Sequence, residues 1–168
     1  MKQSWSEMLV GVVALCAAAG ASAVDVVSTR NVGAELAMDI ALKAVEACRK
    51  DGYQVSVVVV DRGANVVAVL RDAYATRFST EIARRKANAV ILAGVSSAEF
   101  AKNRADIRRD LNEIHDIIVM AGGLPIQAGG SLIGAVGVSG APGGDKDEAC
   151  ARAALDAVAE RLEFLDDE

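Results

Sequence analysis

Residues 54–71 read QVSVVVVDRGANVVAVLR, and the arrangement of residue types within them decides the fold. The run Val57 to Val60 is β-branched and suits a strand, DRGAN supplies turn residues, and VVAVLR repeats the strand signal. A connection this short joins antiparallel strands. Both faces of the pair are apolar, so both are expected to be covered by other elements.

A second strand pair follows the same logic. A strand is predicted near Leu124 to Gln127, a turn at Gly129 and Gly130, and another strand over LIGAVGVS, residues 132–139. Alternation in that last strand puts Gly137 beside Ile133, Ala135 and Ser139, and Gly134 beside Val136 and Val138. Glycine inside a strand marks close approach of a backbone or a ligand, and tight helix packing is the simpler reading.

Helical periodicity accounts for the rest of the chain. Between Asn31 and Asp51, residues Ala37, Ile40, Ala41, Ala44, Val45 and Cys48 form one apolar stripe, and Gly52 ends the helix. A second helix covers EIARRKANAVILAG, residues 81–94, with Ser79 or Thr80 as its cap, and a short third begins at Ser96 or Ser97. Residues 103–123 read as an irregular connection. A last helix starts at Asp145, with Asp145 and Glu148 spaced as a capping box, and carries Ala151, Ala154, Leu155, Val158, Leu162 and Leu165 on one face. The predicted class is α+β: an antiparallel sheet with packed helices.

The chain has 168 residues, 52% of them hydrophobic and 24% charged, which suits one domain with a core. Its formal net charge of −5 gives no basic field for nucleic acid or an anionic membrane, so neither is expected as a partner. Lys2, the apolar run LVGVVALCAAAG and then Ala21-Ser22-Ala23 form the pattern of a secretory signal peptide over residues 1–23. A lipoprotein with Cys16 modified and an uncleaved amphipathic start are the alternatives. The run falls short of the ~20 residues a membrane helix needs, so stable insertion is not expected. The expected product is a periplasmic or secreted domain of residues 24–168. Cys48 and Cys150 remain in it, read first as two small core residues; oxidation in an exported chain is the alternative.

The stretch GAVGVSGAPGGDKDE, residues 134–148, looks like a phosphate-binding loop but lacks its chemistry. Gly144 is followed by Asp145-Lys146-Asp147, not by lysine and a hydroxyl, and acidic residues occupy the helix start where a phosphate would bind. Two other residues are candidates. His115 is the single histidine; it has no zinc-site partners at suitable spacing, and axial ligation of haem iron is its functional reading beside that of an ordinary surface or half-buried histidine. Lys86 falls on the apolar side of its helix, where it either snorkels past the core edge or lines a pocket and meets an acidic ligand group. Arg84 and Arg85 point elsewhere on the same wheel. Met120 reads as core. No serine or cysteine carries a nucleophile signature, so catalytic residues are unassigned and a binding protein is expected rather than an enzyme.

Three stretches together resemble the GlcG/HbpS-like family of haem-binding proteins, which also supplies the carboxy-terminal domain of PduO-type proteins. They are AGGLPIQAGGSLIGAVGVSGAPGGDKDEACARAAL, VVVVDRGANVVAVLRDAYA and ARRKANAV. The resemblance implies a profilin-like α+β fold, assembly into symmetric homo-oligomers, and haem as cofactor with a role in sequestration or sensing. It also implies alternatives: a small carboxylic or hydroxy acid, glycolate-related, as ligand, or a cobalamin-related accessory role. Lys86, Gly122, Gly123, Gly137, Ser139, Gly140 and Asp147 lie in the matching stretches and are the candidate cofactor-binding residues, with His115 as a further candidate and the metal contact.

Overall fold

The structure, a computed structural model, describes residues 27–163. The signal peptide expected over residues 1–23 lies outside them, as does Leu165 of the last helical stripe. Ten elements follow in order: α1 (Ala34–Lys50), β1 (Ser56–Asp61), β2 (Val66–Arg71), α2 (Arg77–Ala93), α3 (Ser97–Asn103), α4 (Arg108–Leu111), β3 (Gly123–Ala128), β4 (Ser131–Ser139), α5 (Gly144–Asp156) and α6 (Ala159–Glu163). The strands form one antiparallel sheet in the order β2-β1-β4-β3. The two predicted hairpins therefore join through β1 and β4, with Val58 opposite Gly137 and Val69.

The sheet is covered on both sides at its centre. On one side α1 and α5 pack their predicted stripes onto Val57, Val59, Leu124, Ile126, Val136 and Val138. On the other, Ala83, Ala87 and Val90 of α2 cover Val58, Val60 and Ala135. Burial of these side chains supplies the main favourable term for folding. Coverage fails at the edge: Val66 and Val69 of β2 are about half exposed, at 48% and 49%, because α2 lies over the central strands and leaves that face of β2 open.

Local chemistry explains the other departures from expectation. Ile133 is skipped between Leu132 and Gly134 in the pairing with β3, and this bulge shifts the alternation, so Ile133 joins the α1/α5 core instead of Ala135. Helix α2 starts one turn earlier than expected, behind Thr76. Ser79 donates its hydroxyl proton to the Thr76 carbonyl, and Ser79 and Thr80 both meet the Ser56 hydroxyl, so neither serves as a cap. Ser96 does cap α3, accepting from the Glu99 amide at 3.1 Å. The connection read as irregular contains the single turn α4. The last helix breaks at Ala157 and Val158, where the hydrogen bonds tighten to Val158 N–H with Leu155 O and Arg161 N–H with Val158 O.

Cys48 and Cys150 are joined in a disulfide with 5.4 Å between their α-carbons, which corrects the reading of two unpaired core residues. Their helices bring the thiols together because both sit in facing apolar stripes rich in alanine. The bridge spans 102 residues of sequence.

Candidate functional site

The predicted site residues divide into two places. At one end of the sheet, Lys86 reaches out of α2 past the start of β3 and the end of β4 toward α5. Its side chain is 1% exposed. Nζ donates to the Val138 carbonyl at 2.9 Å and to Asp147 Oδ2 at 2.7 Å. Asp147 Oδ1 accepts from the Ala141 amide at 2.9 Å. Asp147 thus faces inward. The expected capping box is absent, since Gly143 is the N-cap and no side chain bonds there. Burial pushes the Asp147 carboxyl above the usual carboxylate range, opposed by the Lys86 charge, its hydrogen bond and the Ala141 amide.

The glycines make this arrangement possible. A Cβ on Gly122 would lie 2.7 Å from Lys86 Nζ and 2.9 Å from Asp147 Cβ, and the residue has φ +117. A Cβ on Gly137 would lie 2.0 Å from the Ala83 carbonyl oxygen, so the helix backbone rests directly on the strand. Gly123 meets the Lys86 carbonyl in the same way and exchanges hydrogen bonds with Ser97 Oγ, donating its N–H at 2.8 Å. Ser139 is buried opposite Ser56, and Gly140 turns the chain beside Gln54. The structure therefore gathers Lys86, Gly122, Gly123, Gly137 and Asp147, with Ser139 and Gly140 adjoining, around a closed ion pair. The acidic group that meets Lys86 is supplied by the chain itself.

His115 stands elsewhere, on the loop after α4, with its side chain 93% exposed. It borders an open cleft of about 360 Å³ between that loop and α2, lined by Glu81, Arg85, Asn112, Glu113, Ile114, His115 and Asp116. Nδ1 is 3.1 Å from Asp116 Oδ2, which leaves Nε2 facing outward. Asp116 has φ +65, a left-handed conformation that aspartate tolerates better than most residues. Its other oxygen, Oδ1, accepts from Arg84 Nη2 at 2.5 Å, and its backbone carbonyl accepts from Asn88 Nδ2 at 3.1 Å. The Arg84 guanidinium holds the Asp116 carboxyl below its usual range. Arg85 donates Nη2 to the Ile117 carbonyl at 2.7 Å, while its buried Nε and the buried Asn88 Oδ1 have no partner.

Glu81, Arg84, Arg85 and Asn88 were not among the sequence candidates. Their positions i, i+3, i+4 and i+7 place them on one face of α2, and that polar stripe was the signal available. Met120, read as core, is 40% exposed. Among the described residues no cluster of three or more His, Cys, Asp or Glu could hold a metal ion, and no helix is long and apolar enough to cross a membrane.

A four-stranded antiparallel sheet flanked by helices, closed at one end by glycine-packed strands, defines an α+β domain of the profilin-like kind. The model of the family described as "Haem degrading protein HbpS-like" matches residues 32–156, and the chain belongs to that family. The crystal structure of HbpS is 38% identical, with 80% of this chain and 94% of that chain covered and a TM-score of 0.75. A double mutant of Streptomyces reticuli HbpS is 32% identical, covering 94% of this chain and 99% of that one, also with a TM-score of 0.75. The PduOC:heme complex, at 21% identity, 76% and 94% coverage and a TM-score of 0.64, shares the fold. Comparison with curated proteins gives no match.

Proposed function

We propose that this protein binds haem at the cleft beside His115, as an exported homo-oligomer that sequesters or senses it. The observation that carries the reading is the imidazole itself: it is exposed, its Nδ1 is held by a carboxylate, and Nε2 is free to ligate iron. His115 offers nitrogen and exposed Ile114 offers apolar surface, whereas Glu81, Glu113 and Asp116 make the rest of the lining acidic, so the cleft suits an iron contact and does not suit the haem propionates. At about 360 Å³ the cleft is at the small end of the ~300–1,000 Å³ usual for ligand sites, so the chain would grip one edge of the macrocycle. Bound haem supplies a redox-active iron; the residues here bind and orient it.

The family description supports haem as the ligand. Export is supported by the leader pattern and by the Cys48–Cys150 bridge, since disulfides persist in oxidising compartments. Self-association is supported by the open edge strand β2 and the exposed Met38 and Leu42 on α1 beside it. The rival reading, a small carboxylic acid held by Lys86, has no open cation to use, because Asp147 already occupies it.

Titrating the protein of residues 24–168 with ferric haem tests the proposal. A shifted Soret band that saturates at a defined ratio, and is altered in His115→Ala, is the expected result. A haem spectrum unchanged from buffer through stoichiometric additions would sink it.

A further inference from the structure

The sheet has two edges, and the chain treats them differently. At one edge, β3 carries Pro125, which has no N–H to offer a further strand, and α5 and α6 pack against it. At the other, β2 reads VVAVLR, with no proline, no lysine and a single charge at its end. Its pairing shows which backbone groups are left over. Asp72 N–H donates to the Val55 carbonyl at 2.9 Å, and the register sets Ser56 against Arg71 and Val57 against Leu70, so Leu70 and Asp72 turn their backbone groups toward β1. By alternation Val69 and Arg71 turn theirs outward, where no strand among the described residues pairs with them. The side chains along this edge are apolar on both faces. Half-exposed Val69 looks to the α2 side, and Leu70 lies on the α1 side beside exposed Met38 and Leu42.

Resting on the self-association reading above, we infer that two copies of this chain join edge to edge through β2, antiparallel about a two-fold axis at Leu70, so that their sheets become one. Val69 then faces Arg71 of the partner subunit, and Leu70 faces Leu70 of the partner subunit. This register uses every outward-turned residue, as two hydrogen-bonded pairs around one that is not hydrogen-bonded. An axis at Val69 would set Arg71 against Val67, at the bulge where the β1–β2 register breaks, and would lose that regularity. Charge also suits a second copy. Like charges directly opposite destabilise a strand pair, and here each Arg71 lies opposite a valine. Its guanidinium is turned back on its own chain, Nη1 donating to the Ala75 carbonyl at 2.5 Å. On the α1 side, Met38 and Leu42 of both copies flank the leucine pair, so the same apolar patch is supplied twice, as a two-fold interface requires.

Leu70→Cys in the protein of residues 24–168 tests the axis. A strand pair without hydrogen bonds holds its α-carbons about 4.5 Å apart, within the ~4.4–6.8 Å that a disulfide spans. The oxidised variant is expected to run at about twice the chain mass on a non-reducing gel and to return to one chain mass with a dithiol reductant. Val69→Cys places its thiols off the axis and is expected to stay uncrosslinked. Light scattering tests the edge itself. Val69→Pro removes an outward N–H without touching a bond to β1, and the assembly mass is expected to fall about twofold or more, with thermal unfolding to check that the variant is folded. Val69→Lys keeps the backbone, is expected to act in the same direction, and decides the matter if the proline variant does not fold. An assembly of parent mass in the lysine variant, with no cross-link in Leu70→Cys, would overturn the inference while self-association stands. Cross-linking of Val69→Cys as fast as that of Leu70→Cys would overturn the axis. A monomeric parent would overturn both readings and leave the edge to a strand from another protein.

Discussion

Lys86–Asp147 and His115–Asp116 each set a basic side chain against a carboxylate, and they differ in almost everything around them. The first joins two helical layers through the end of the sheet, with side chains 1% and 4% exposed. The second lies on the surface, with side chains 93% and 37% exposed. A buried pair has been taken out of water at a cost, and its value lies in never being broken. An exposed pair contributes little to stability and leaves an atom free. Charge alone therefore does not mark a ligand site in this fold. Lys86 is spent on holding the structure together, and a ligand contact at His115 belongs to the proposed function.

The largest effect that sharpens this contrast is expected from Lys86→Met, which would leave Asp147 buried without its cation. Destabilisation of about 3–5 kcal/mol is expected from urea or thermal unfolding. The double substitution Lys86→Met with Asp147→Leu should cost much less than the two singles summed. If Lys86→Met unfolds like the parent, the ammonium is not structural and the contrast collapses. The disulfide is next. It clamps α5, the helix that presents Asp147, to α1, and removing it by Cys48→Ala with Cys150→Ala should cost about 2–5 kcal/mol. Equal stability of the oxidised and reduced protein would show that the alanine-rich α1–α5 contact holds α5 unaided.

Much of the fold was legible because its signals are local. The valine run, the two turns and the 3.6-residue stripe of α1 each rest on neighbouring residues, and they placed β1, β2, β4 and α1 within a few positions. Lys86 stood out because it broke an apolar pattern, but a wheel does not say which group fills the space opposite. Asp147 lies 61 residues away, and the sequence placed it only in the acidic start of the last helix and among the candidate cofactor-binding residues, with nothing to pair it with Lys86. The disulfide was left open for the same reason, since two buried stripes show where thiols lie and not whether they face each other. The exposed face of β2 was misread because coverage depends on where α2 ends up, a property of the packed sheet. The polar stripe on α2 was legible in principle, yet only the left-handed turn at Asp116 shows that the loop bends back to meet it.

The two aspartates should also respond to acid in opposite senses. Asp116 has a folded-state pKa below its unfolded value of about 3.9, so its contribution to stability is fully present above that pH and is lost as pH falls through the lower, folded value. Asp147 is raised, so the folded state binds its proton first. Between the folded value and about 3.9, stability contributed by this group rises as pH falls. Unfolding free energies measured from pH 7 to pH 3 should therefore lose an acid-side decline in Asp116→Asn and lose an opposing rise in Asp147→Asn. Changes of the same sign in both variants would contradict the difference in environment.

The smallest expected effect is the most discriminating. His115→Ala removes a side chain with almost no packed surface, and its stability should stay within about 0.5 kcal/mol of the parent, as for surface substitutions away from special features. Haem binding should fall sharply in the same variant. A protein that keeps its unfolding midpoint and loses its Soret shift separates ligand contact from fold, which the Lys86 variants do not do. If His115→Ala instead lowers stability by more than 1 kcal/mol, the imidazole is holding the 112–116 loop in place. The exposed pair would then be a second structural clamp, and the distinction between the two aspartates would be one of degree.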